Sequence, residues 1–214
     1  MDASVEIWET KFKAMLTAQQ CYSVFDKSIT NYHVTDSVDS SLANSYEGIE
    51  SILYHKNWID TVQWHLEDLI RDPKINPVDA IELKRRIDKS NQERTDMVEQ
   101  IDDYFLDFFK EVKLQPGARQ NSETPAWLLD RMSILLLKIY HMQEQVQRKD
   151  ADTLHIAKCQ AKLNILLEQK TDMQFCFDEL MDDLLRGIRK MKVYRQMKMY
   201  NDASLNPVLY ATKK

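Results

Sequence analysis

The sequence predicts an all-α protein, a helical bundle of about five helices with long antiparallel helix pairs. Apolar residues recur at three- and four-residue steps over long stretches, the spacing that gathers side chains on one helical face. Only three glycines and five prolines stand among 214 residues, a poor supply for the turns of a sheet-rich fold. A hydrophobic content of 43% allows a substantial core, and one domain spanning 1–214 is the simpler reading.

Each helix has its own warrant. Residues 4–33 carry Trp8, Phe12, Met15, Tyr22, Phe25 and Ile29 in helical register. Residues 34–50 then turn polar and aperiodic and read as a long connection, mobile or functional. A second helix, about Ser51 to Arg71, shows an inward stripe of Ile52, His55, Ile59, Val62, Leu66 and Leu69, and Asp72-Pro73 ends it. Asn76 is an N-cap ahead of Pro77, where a third helix begins and runs to about Lys110. Its distal half is apolar through Val98, Ile101, Phe105 and Phe108, whereas its proximal half puts Lys84, Ile87, Asn91 and Arg94 on the same face. Thr124-Pro125 starts the fourth helix, lined by Leu128, Met132, Leu135, Ile139, Met142 and Val146. A turn at Asp150 to Thr153 leads into the last helix, whose pattern from Ile156 to Leu184 extends through Ile188 and Met191 towards Tyr200.

Charge and cysteine content narrow the class. The net charge of −5 gives no general attraction to nucleic acid. Its distribution is uneven: the segment 186–214 holds eight Lys/Arg against one Asp, and could be a solvated helix end, a surface for a partner protein, or a weak contact with an anionic membrane surface. Cys21, Cys159 and Cys176 lack CxxC or Cys/His spacing, which fits free thiols in a reducing compartment. With no hydrophobic leader and no run of about 20 apolar residues, the expectation is a cytoplasmic protein without a transmembrane segment.

The lead to function is a misfit. His55, Lys84, Asn91, Arg94 and Lys170 fall on or beside apolar stripes, and a fold must pair such groups or place them around a cavity. Asp60, Trp64, Glu67 and Arg71, with Asp68 beside them, form one flank of the second helix. That flank could stack a sugar on Trp64 or bind a cation through carboxylates. On the third helix Lys84, Asp88, Asn91 and Arg94 follow at helical spacing, and a guanidinium fork beside amide donors suits a phosphate or carboxylate. Glu123, Asp130, Arg131, Lys138 and His141 bracket the fourth helix. These sets could equally neutralise one another.

Several chemistries lack their residues. ExxH, HExxH and cysteine-based zinc spacings are missing, and Asp152-xx-His155 is a lone DxxH near a turn. A Mg²⁺ or Mn²⁺ site from Glu67 and Asp68 stays open as the metal reading. No phosphate-binding glycine loop and no nucleophile elbow occur.

The runs NWIDTVQWHLEDLIRD, LKRRIDKSNQERTDMVEQID, ETPAWLLDRMSILLLKIYHM and YRQMKMYNDASLNPVLY resemble an all-helical Bacteroidetes family of domain-of-unknown-function proteins, DUF4254-like, over about Tyr54 to Tyr210. The resemblance implies a contextual link to lipopolysaccharide and other surface-glycan assembly, with a glycosyltransferase or another envelope-biosynthesis protein as partner. It carries over no catalytic residue. The positions it points to overlap those reached above: Trp64, Glu67, Asp68, Arg71, Lys84, Asp88, Asn91, Arg94, Asp96, Glu123, Asp130, Arg131 and Lys138.

Two functions follow as expectations. The first is an accessory protein of cell-envelope glycan synthesis that binds an anionic small molecule such as a nucleotide-sugar, through Trp64, Arg71, Lys84, Asp88, Asn91, Arg94, Asp130, Arg131 and Lys138. The alternatives are a divalent-metal-dependent enzyme on a phosphate-containing substrate, with Glu67 and Asp68 as ligands, and a scaffold whose polar core sets helix register.

Overall fold

The computed structural model describes residues 10–197, 199 and 202–211. Its frame is five long helices: α1 (Ala18–Thr35), α2 (Gly48–Leu69), α3 (Pro77–Phe109), α4 (Pro125–Gln147) and α5 (Thr153–Leu185). A two-residue parallel pairing of β1 (Arg119–Gln120) with β2 (Arg189–Lys190) and a short α6 (Pro207–Ala211) complete it. The chain is an all-α bundle, as the periodicity predicts. α4 packs most extensively on α5, α2 on α3, and α1 on α2.

Local chemistry sets the helix ends. Asn76 accepts a hydrogen bond from the Val78 N–H (2.9 Å) with Pro77 at the first helical position. Thr124 caps α4 through the Trp127 N–H (3.3 Å), and Asp152 caps α5 through the His155 N–H (2.8 Å). The predicted single helix over 4–33 is broken instead at residues 15–17; residues 10–14 are helical, and 1–9, with Trp8, lie outside the described residues. The break makes room for a capping box, in which Gln20 N–H donates to Thr17 Oγ1 and Thr17 N–H to Gln20 Oε1. Asp178 of α5 accepts the next free donor, Ala18 N–H, at 2.8 Å. Packing on α5 is thereby built into the start of α1.

The last helix also ends earlier than its pattern suggests. α5 stops at Leu185, and its continuation towards Tyr200 is not formed; Tyr200 itself lies outside the described residues. Gly187 adopts φ 69°, its N–H donates to Leu184 O (3.0 Å), and Ile188 N–H donates to Asp183 O (2.8 Å), the paired bonds of a Schellman stop. A Cβ at Gly187 would collide with the Lys113 carbonyl oxygen. Helical periodicity beyond 187 was outweighed by this close crossing. The following segment runs along α3, where Arg195 donates to Glu99 O (3.0 Å) and pairs with Asp103.

α2 is the middle of the bundle and contacts α1, α3 and α4. From Leu53 to Thr61 every residue except His55 is buried. The predicted one-sided stripe therefore misplaces the interior: His55 is half-buried and Leu69 exposed, whereas Lys56, Asn57 and Asp60 are inside. Residues 36–47, joining α1 to α2, are held to α3 by Arg86, which donates to Val38 O (3.2 Å) and Asp39 Oδ1 (2.8 Å). No helix among the described residues is long and apolar enough to cross a membrane.

Candidate functional site

A largely buried group of charged side chains forms a quartet on three helices. Lys56 of α2 is 0% exposed; its Nζ lies 2.5 Å from Asp60 Oδ2 and 2.8 Å from Asp130 Oδ1 of α4. Arg94 of α3 clasps Asp130 with Nε (3.0 Å) and Nη2 (2.5 Å), and its Nε lies 3.2 Å from Asp60 Oδ1. Ser133 donates to Asp60 Oδ2 (2.6 Å), and Asn57 donates to Ser133 Oγ (2.9 Å). Two cations face two carboxylates, so the unit is electrically closed. Burial pushes the Asp60 carboxyl up from its ordinary value against the pull of Lys56 and Arg94. Burial acts on Asp130 too, but there Lys56 and Arg94 win and hold the carboxyl below its ordinary value.

A furrow borders this unit, and Asp60 and Arg94 line part of it. One groove of about 540 Å³ has Trp64 and Asp68 of α2, Lys138, His141, Met142 and Gln145 of α4, and Lys162, Ile165 and Leu166 of α5. Trp64 and Asp68 also line a groove of about 270 Å³ with Glu67, Arg71 and the exposed edge of Arg94. Asp68 reaches a third, of about 490 Å³, with Tyr32, Asp36 and His65. Asp68, near the exposed end of α2, thus borders all three grooves. Among the described residues neither Lys138 nor Lys162 has a carboxylate oxygen within 4.0 Å of its ammonium, so both charges are available to an anion.

Three histidines meet beside the furrow. His33 of α1, His65 of α2 and His141 of α4 have ring centroids 5.3, 5.4 and 5.4 Å apart, and one ring nitrogen from each lies within 4.8 Å of the others. Each is preceded in the chain by an aromatic residue, and each stacks on the aromatic of another helix. His33 lies on Tyr140 (4.2 Å), His65 on Tyr32 (5.2 Å) and His141 on Trp64 (4.8 Å). Burial pushes the His65 imidazole below its ordinary value, and His141 and His33 push it the same way.

The structure distributes the residues that the sequence reading singles out for binding over several places. Arg94 and Asp130 enter the buried quartet. Trp64, Asp68 and Lys138 line the furrow, and Glu67 pairs with Arg71 (2.6 Å) at its edge. Asn91 accepts from Gln63 Nε2 (2.8 Å). Lys84 and Asp88 pair with each other in solvent, 59% and 55% exposed, on the outer face of a turn whose Ile87 is buried. Arg131, one residue round the helix from Asp130, points away and is held by both Glu123 oxygens at 3.0 Å. Lys170 places its Nζ over the Tyr22 ring (4.9 Å), which accounts for its half-buried position. Among the described residues Glu67 and Asp68 acquire no third metal-binding side chain; the grouping of three is the histidine one.

Sequence reasoning missed Lys56 and the histidine trio. Lys56 stands four residues before Asp60, a spacing that by itself reads as an ordinary surface pair. His33, His65 and His141 share no short spacing. Their one local signal is the aromatic-His dipeptide, which Tyr54-His55 also has without joining the group.

No curated protein and no solved structure matches this chain. A family model described as a protein of unknown function, DUF4254, matches residues 50–193, more than half of the sequence, and spans the whole quartet together with His65 and His141. The chain belongs to this family of proteins of unknown function.

Proposed function

We propose that this protein binds an anionic, nucleotide-sugar-like ligand as a cytoplasmic accessory of cell-envelope glycan synthesis, with a glycosyltransferase or another envelope-biosynthesis protein as its partner. The envelope setting follows from the sequence resemblance alone. The ligand class is supported by one observation: the furrow beside Trp64 joins apolar side chains to Asp68 and to two lysines that, among the described residues, have no carboxylate partner. Such a surface suits a ligand with a ring to bury, hydroxyls for Asp68 and Gln145, and phosphate oxygens for Lys138 and Lys162. Arg94 is assigned a structural role in this reading, since its guanidinium is already engaged by Asp130.

Titration calorimetry of the full chain with a uridine diphosphate sugar tests the reading. Lys138→Ala and Lys162→Ala each weaken binding about tenfold, which corresponds to about 1.4 kcal/mol, at an unchanged melting temperature. Arg94→Ala lowers the melting temperature and leaves the affinity of the folded fraction in place. No heat with the parent protein, or equal affinity in the lysine variants, contradicts the reading.

A further inference from the structure

The histidine trio has a feature that aromatic packing does not require: its ring nitrogens are sorted. His33 Nδ1 lies 2.8 Å from Ile29 O, and a carbonyl can only accept, so Nδ1 carries the proton and Nε2 the lone pair. His141 Nδ1 lies 2.8 Å from Glu144 Oε2, which in the neutral ring likewise leaves the lone pair on Nε2, and among the described residues that buried atom has no hydrogen-bond partner. His65 Nε2 donates to His33 Nε2 at 3.2 Å, and a metal ion between the two rings would take the place of that proton. Two nitrogens bound at about 2.0–2.1 Å to a tetrahedral ion stand about 3.3–3.4 Å apart. A backbone carbonyl on one ligand and a carboxylate on another are the outer partners that orient metal-binding imidazoles.

We propose that His33, His65 and His141 form a binding site for a first-row transition-metal ion of the Zn²⁺ type. Imidazole donors favour such an ion over Mg²⁺ or Ca²⁺, which take oxygen ligands. A fourth ligand has a candidate in Asp36, the residue at φ 48° that ends α1, whose Oδ1 is 3.8 Å from His65 Nε2. The groove that contains Asp36 and His65 gives the ion access from solvent. Closure needs only side-chain adjustment, because the widest nitrogen pair is already within 4.8 Å. The site ties α1, α2 and α4 together through one ion, and it stands whether or not the furrow binds a nucleotide-sugar.

Zinc alone, titrated calorimetrically into the metal-free full chain, is the probe. The parent takes up one equivalent and melts at a higher temperature. His65→Ala abolishes both effects, and Glu144→Gln weakens binding about 10- to 100-fold through the lost outer partner. His155→Ala keeps them, which removes the His155–Cys159 pair (3.4 Å) as the source. Retained binding in His65→Ala, or its loss in His155→Ala, overturns the proposal. If His65→Ala does not fold, the long-range ¹H–¹⁵N spectrum of the parent decides. The protein has five histidines. Zinc-dependent ring-nitrogen shifts confined to His33, His65 and His141 support the site, and shifts at His55 or His155 instead, or at none, overturn it.

Discussion

The buried quartet and the histidine trio both rest on α2 and α4, yet they differ in how their polar atoms are matched. In the quartet every charge has an opposite one in contact, and Asp60 takes a further hydrogen bond from Ser133. In the trio, His33 and His141 have their N–H groups committed outward, and the only proton directed inward is the one His65 Nε2 donates to His33 Nε2. A closed network of charges holds helices in register and offers little to a ligand. A metal ion can take the place of that one shared proton and draw on all three rings. The difference teaches that the charged residues buried in the quartet mark a structural device, whereas the three histidines, further along α2 and α4 and joined by α1, are the candidate for a metal ion.

The largest expected effect comes from breaking the quartet at its centre. Lys56→Met leaves Asp60 and Asp130 facing each other with only Arg94 between them, and urea unfolding should show a loss of about 3–5 kcal/mol. Arg94→Ala removes a bidentate clasp on a partly exposed side chain, and the loss expected by the same measurement is about 1.5–3 kcal/mol. If either variant unfolds like the parent, the quartet is not the bolt of the bundle.

Asp102 sharpens the contrast, as a buried carboxyl of α3 outside both groups. Burial raises it above its ordinary value, against a hydrogen bond from Thr124. The folded form therefore holds this proton more tightly than the unfolded chain. Its contribution to stability is full below the ordinary aspartate value and is lost as pH rises through the folded one. Asp102→Asn should raise stability at pH 7 by on the order of 1 kcal/mol, with the gain shrinking as pH falls towards about 4. A gain that grows on acidification would reverse the sign and the cause. The smallest effect belongs to the exposed Lys84–Asp88 pair: Lys84→Ala should change unfolding by at most about 0.5 kcal/mol.

The same contrast shows what could be read in the sequence. Asn76-Pro77 and Thr124-Pro125 announce helix starts through chemistry that acts within a few residues, and both starts stand where the sequence puts them. Trp64, Asp68 and Lys138 line a groove because they sit on the rim of an amphipathic pattern. Lys56 could not be read, since its burial follows from α2 being covered by three helices, a property of the assembly rather than of the segment. The stop at Gly187 likewise depends on Lys113, some seventy residues earlier in the chain. His33, His65 and His141 come from three helices whose crossing alone brings them together.

The division of labour between the two groups is tested most directly by melting three full-length proteins with and without zinc chloride: the parent, Asp130→Asn and His65→Ala. Asp130→Asn should melt well below the parent but keep its zinc-induced rise, while His65→Ala should melt close to the parent and show none. A stable Asp130→Asn that has lost the rise, together with a His65→Ala that retains it, would contradict the account.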